Sequence, residues 1–74
     1  MRGKLTPIAS NHDHVRKNSL IGVFDHQPVV GKGFIIRGGM RIITTTAVRS
    51  IQKLDEKLFK FKTDNSIYGL EILD

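Results

Sequence analysis

Histidine is the side chain best suited to proton transfer or metal binding near neutral pH. His12 and His14, with Asp13 between them, and His26 could supply three nitrogen or oxygen ligands. Alternate residues of an extended chain point to opposite sides, so His12 and His14 chelate one ion only across a turn. No neighbouring element supplies a second shell to orient them. Ser, His and Asp all occur, but no G-x-S-x-G elbow presents a serine. A general base must be held within hydrogen-bond reach of its nucleophile, which a polar, aperiodic segment does badly. The only adjacent carboxylates, Asp55 and Glu56, fall in a turn between two apolar runs, where both face water. There is no cysteine, so disulfides, thiolate zinc sites, iron–sulfur clusters and cysteine nucleophiles are excluded together. The expectation is a non-enzyme with no cofactor and no bound metal.

Two glycine-rich stretches remain, Gly31-Lys32-Gly33 and Gly38-Gly39. Neither fits the phosphate-binding patterns G-x-x-x-x-G-K-[ST] or G-x-G-x-x-G, and neither opens a helix whose amides would face an anion. They read as turns. A nest of backbone amides beside Lys32 or Arg37 is the one anion site they suggest.

Charge carries the broader signal. Twelve Lys and Arg stand against seven Asp and Glu, a net charge of +5. Residues 1–53 hold nine of the cations and two of the acids; residues 54–74 are net acidic. A basic chain is drawn to anionic partners, nucleic acid among them. The candidate anion or nucleic-acid contacts are Lys32, Arg37, Arg41, Arg49, Lys60 and Lys62. Lys60 and Lys62 alternate with Phe59 and Phe61, so the two lysines share one face of a strand. A single-strand binder also needs rings on which bases stack. Phe34, Phe59, Phe61 and Tyr68 read as core, leaving Phe24 as the exposed aromatic.

The elements that would position these residues are strands. Residues 1–18 show no sustained period and read as a flexible basic arm, in which Leu5 and Ile8 could pin an added edge strand. Residues 19–74 form the domain. Apolar, β-branched runs fall at Ser19–Phe24, Gly33–Arg37 and Met40–Thr46, with Gly38-Gly39 as a hairpin turn. Val48, Ile51 and Leu54 are three apart. That spacing predicts a 3₁₀-type corner at Thr46–Val48 leading into a strand at Arg49–Leu54. Leu58–Thr63 and Ser66–Leu73 close the chain around a tight Asp64-Asn65 turn, both residues being tolerant of the left-handed region. Five or six short strands predict an all-β fold, either a small SH3-like barrel or a half-open antiparallel sandwich. Its expected core is Ile21, Val23, Phe34, Ile36, Ile43, Val48, Ile51, Phe59, Phe61, Tyr68, Leu70 and Ile72. Ile35, Ile42 and Ile67 then face outward as interface candidates.

The pattern Arg41-x-Ile43-Thr44-Thr45-x-x-Val48-x-x-Ile51, followed by Phe61-x-Thr63-x-Asn65-Ser66-x-Tyr68-x-Leu70, resembles small uncharacterised all-β proteins encoded by phages and other mobile elements. The resemblance covers about thirty residues of the C-terminal half. It departs from the group in having Thr45 second in the Thr/Ser pair and no proline before Val48. It implies a compact β-fold and an accessory role, and it carries over no catalytic residue. Local chemistry accounts for the same residues: Asn65 and Ser66 suit a turn, and threonine hydroxyls can satisfy a bent strand.

With 74 residues and no Trp, the chain has little apolar surface to bury, so a homo-oligomer is expected to make up part of the core. No apolar run approaches the ~20 residues of a membrane span. No apolar stretch follows the basic start to make a signal peptide. These features predict a cytoplasmic protein with no membrane contact. Two functions follow: a self-associating module that also binds a protein partner, or a nucleic-acid binder using its basic face.

Overall fold

The computed structural model describes residues 1–10 and 19–74. Six strands follow in order: β1 (Arg2–Ser10), β2 (Leu20–Val23), β3 (Gly33–Gly38), β4 (Arg41–Asp55), β5 (Leu58–Thr63) and β6 (Ser66–Ile72). Each pairs antiparallel with the next, and β6 returns to β1, closing the sheet into a barrel. Of the two expected arrangements, the closed one forms.

The closing strand comes from the expected arm. Residues 2–10 are not loose. Arg2–Leu5 pair with β2, while Gly3–Ser10 pair with β6 through a bulge at Ile8. The strand was hidden because its inward positions are atypical. Leu5 is fully buried, but Gly3 points inward where Phe24 and Leu70 already fill the space. A Cβ at Gly3 would lie 2.8 Å from the Phe24 ring. Pro7 falls beyond Leu5, the last β1 residue in register with β2, where a missing N–H disturbs one ladder at most. The rest of the expected arm, residues 11–18, lies outside the described residues.

β4 is a second departure. No 3₁₀ corner forms at Thr46–Val48; one strand runs from Arg41 to Asp55. Its first half pairs with β3 and its second with β5. Between the register pairs Gly33↔Ala47 and Ile35↔Thr44, β4 spends one residue more than β3, a bulge that bends the strand. The buried Thr45 hydroxyl repairs it, accepting from Phe34 N–H at 2.9 Å and donating to Thr46 O at 2.8 Å. Thr45→Val keeps the shape and strands a buried amide. It is expected to cost about 1–3 kcal/mol in urea denaturation.

The hairpins turn where glycine and short polar residues sit. Gly38 pairs with Arg41, so the β3–β4 turn is Gly39-Met40 rather than Gly38-Gly39, with Gly39 at φ 58°. Positive φ at the first central residue is the type II′ pattern. The β5–β6 turn forms at Asp64-Asn65 as expected, but without positive φ. There the buried Thr63 hydroxyl accepts from Ser66 N–H at 3.1 Å and donates to Ser66 O at 3.2 Å.

The core is Leu5, Leu20, Phe24, Phe34, Ile36, Val48, Phe59, Phe61 and Leu70, with Ile43, Tyr68 and Ile72 packed against it. Three expected members are corrected. In β2 the alternation runs in the opposite phase: Leu20 and Phe24 face in, so Ile21 and Val23 face out. Ile51 sits on the far half of β4, past the cover of β3, and stays partly exposed. Phe24, the expected exposed ring, is buried; its centroid lies 5.5 Å from that of Phe34.

Candidate functional site

The six candidate cations do not gather in one place. Arg37 faces outward on β3, and its Nη2 donates to Asp25 Oδ2 at 3.1 Å. Arg49, the extra residue of a β4 bulge opposite Lys62, forks onto the Asp64 carboxylate through Nε and Nη2. The Arg49 hydrogen bonds hold the Asp64 carboxyl below its ordinary range, against the opposing effect of desolvation. The same bonds raise Arg49. Both pairs are solvent-exposed, so they orient side chains more than they stabilise the fold. Arg41 flanks the β3–β4 turn, and Lys32 lies in the loop before β3.

Lys60 and Lys62 are different. They share the outer face of β5 as expected, about 7 Å apart at the rise of an antiparallel strand. Lys60 is opposite Gln52 on β4 and Gly69 on β6. Lys62 is opposite Ser50 and Ile67. No register partner of either lysine is acidic. A shallow groove follows this face, lined by Ser50, Gln52, both lysines and Ile67.

The amide nest considered at Gly31-Lys32-Gly33 does not form. Gly31 N–H donates to Val48 O and Lys32 N–H to Val29 O, so two of the three amides already hold carbonyls. Of the histidines, His12 and His14 lie outside the described residues. His26 is exposed, and its Nδ1–H donates to its neighbour's carbonyl, Gln27 O. Among the described residues, no three His, Asp or Glu side chains gather to hold a metal. Asp55 accepts from Glu56 N–H at its hairpin tip, an ordinary turn bond.

The apolar candidates separate as well. Ile35 and Ile42 stand on the outer face of adjacent strands, diagonal neighbours through the pairs Ile35↔Thr44 and Arg37↔Ile42. Val23 is opposite Arg37 on the other side, which brings the outward Ile21 and Val23 of β2 alongside. Exposures of 56% for Ile21, 54% for Val23, 47% for Ile35 and 66% for Ile42 make this an aliphatic patch across three strands. The Arg37–Asp25 pair sits within it. Ile67 does not belong to the patch; it lies on β6, opposite Ala9 and Lys62. The sequence pattern places Ile21 and Val23 in the core. The signal that would have placed them outside is Phe24, a larger residue on the opposite phase.

No helix among the described residues is long and apolar enough to cross a membrane. Compared with family models, curated proteins and solved structures, the chain matches none.

Proposed function

We propose that this chain is a non-enzymatic interaction module that self-associates through the outer face of β2, β3 and the first half of β4. The observation that carries the reading is the patch of Ile21, Val23, Ile35 and Ile42, four aliphatic side chains each about half or more exposed. Three adjacent strands span about 10 Å from the first to the third, enough for the apolar centre of an interface with a polar rim. Its occupant is a second copy. A two-fold contact brings the same patch against itself, and Arg37 of one copy can then face Asp25 of the other. The patch is thus self-complementary in charge as well as apolar.

The β4 edge is a poorer route to assembly. Beyond Val48, the second half of β4 has β5 on one side and no strand on the other among the described residues. That edge carries two bulges and Lys53, features that oppose edge-to-edge pairing.

Sedimentation equilibrium at tens of micromolar tests the reading. The protein is expected to be a dimer, and Ile35→Lys with Ile42→Lys a folded monomer. Both positions are exposed, so folding should survive the change. A wild-type monomer, or a double variant as dimeric as wild type, overturns the proposal.

A further inference from the structure

The face opposite the aliphatic patch in chemical character is the outer surface of β4, β5 and β6 around Lys60 and Lys62. We propose that this face binds the phosphodiester backbone of a nucleic acid without reading its bases. The inference is independent of self-association, because it uses other strands and other side chains.

Four observations carry it. First, two cations stand about 7 Å apart on one face, so an anion with repeated charges can meet both at once. Second, neither lysine has an acid as its register partner on β4 or β6. Asp64 is forked by Arg49 and Asp25 is held by Arg37. Glu71, the acid nearest in register, stands opposite Leu58 on β5 and Lys4 on β1. Asp74 accepts from Arg2 N–H, and its carbonyl takes the Lys57 ammonium. Third, the outward neighbours of the lysines on β4 are Ser50 and Gln52, whose hydroxyl and amide can donate to phosphate oxygens. Fourth, a shallow groove follows this row. An elongated anion with charges repeated at several ångströms fits such a row better than a compact one.

The same face explains what is not read. Phe24, Phe34, Phe59 and Phe61 are buried, and the half-buried Tyr68 stacks on Phe61 at 5.4 Å. No ring on this face is open to a base, so contact falls on phosphates and affinity depends on salt rather than sequence.

The test is fluorescence anisotropy of short mixed-sequence duplex DNA and single-stranded RNA across a salt series. The wild-type protein is expected to bind at low salt, with affinity falling steeply as salt rises. Lys60→Gln with Lys62→Gln should weaken binding at least roughly tenfold and flatten the log–log salt slope by about 2, one per lost phosphate contact. Lys53→Gln with Lys57→Gln removes the same charge from the hairpin tip and should change binding much less. Thermal melts establish that both double variants are folded. No binding by the wild type overturns the proposal, as does equal loss in the two double variants. Equal competition by poly-glutamate would assign the face to acidic proteins and overturn it too. Failure here leaves the oligomeric state untouched, so the two proposals are judged separately.

Discussion

Phe61→Ala is expected to bring the protein to the edge of unfolding at room temperature. Phe61 is 1% exposed and lies between Phe34 and Tyr68, at 5.4 Å from each ring, with Phe24 beyond Phe34 at 5.5 Å. This row of four rings links the end of β2 to β3, β5 and β6, strands that local hairpins alone do not hold together. Truncating a buried phenylalanine costs about 3–5 kcal/mol through lost burial and the cavity left behind. A chain of this length has a total stability of about 4–11 kcal/mol, at 0.05–0.15 kcal/mol per residue. The variant therefore loses between about a quarter and all of its stability. Met40→Ala, at the fully exposed β3–β4 turn, should cost less than about 0.5 kcal/mol in the same assay. Urea denaturation followed by far-ultraviolet dichroism measures both. A loss below about 1 kcal/mol for Phe61→Ala would mean that the ring row is not the centre of the core.

Gly22→Ala should open the barrel at its weakest seam. β2 and β3 share one register pair, Val23↔Arg37, and around it the two backbones come unusually close. A Cβ on Gly22 would lie 2.2 Å from the Arg37 carbonyl oxygen, and one on Gly38 2.3 Å from the Ile21 oxygen. Both obstacles are backbone, so no rotamer change relieves them. The strands must separate, and with them the one junction that joins β1–β2 to β3–β4. Forcing atoms into a packed site usually costs about 1–3 kcal/mol, and here the top of that range or more is expected because the ladder itself is displaced. Gly31→Ala is the contrasting change. Gly31 has φ 94° but nothing within 4 Å of an added Cβ, so its cost is backbone strain alone. Hydrogen exchange should show protection lost across β2 and β3 in Gly22→Ala and kept in Gly31→Ala. Unchanged protection in Gly22→Ala would sink the account of the seam.

The β5–β6 hairpin shows how much of the fold is legible locally. Phe59 and Phe61 alternate with Lys60 and Lys62, and the buried and exposed faces follow that alternation. The Asp64-Asn65 turn falls between them because short polar residues interrupt two apolar runs. β2 shows the limit. Ser19–Phe24 is apolar at nearly every position, so either phase is locally acceptable. The choice fell to Phe24, the largest side chain in the segment, whose ring completes the row with Phe34. β1 was illegible for a related reason. Glycine and proline hold two of its inward positions, and the reason for the glycine is a phenylalanine twenty-one residues away.

The candidate sites divide in the same way. That Ile35, Ile42, Lys60 and Lys62 point outward follows from strand alternation. That Arg37 and Arg49 are occupied does not, because their partners lie 12 and 15 residues distant along the chain. A list of six cations read from sequence becomes one pair of lysines on a shared face once those carboxylates are placed and Lys32 and Arg41 fall in a loop and beside a turn.

The sequence by itself determined the all-β class, the Asp64-Asn65 turn and the exclusion of cysteine chemistry. These depend on residue type and on neighbours within a few positions. The tertiary structure decided which phase of each strand is inside, that β1 closes the barrel, and which charges stay unanswered. Period-two alternation names two faces without saying which is the interior, and only pairing between residues distant in the chain encloses one of them.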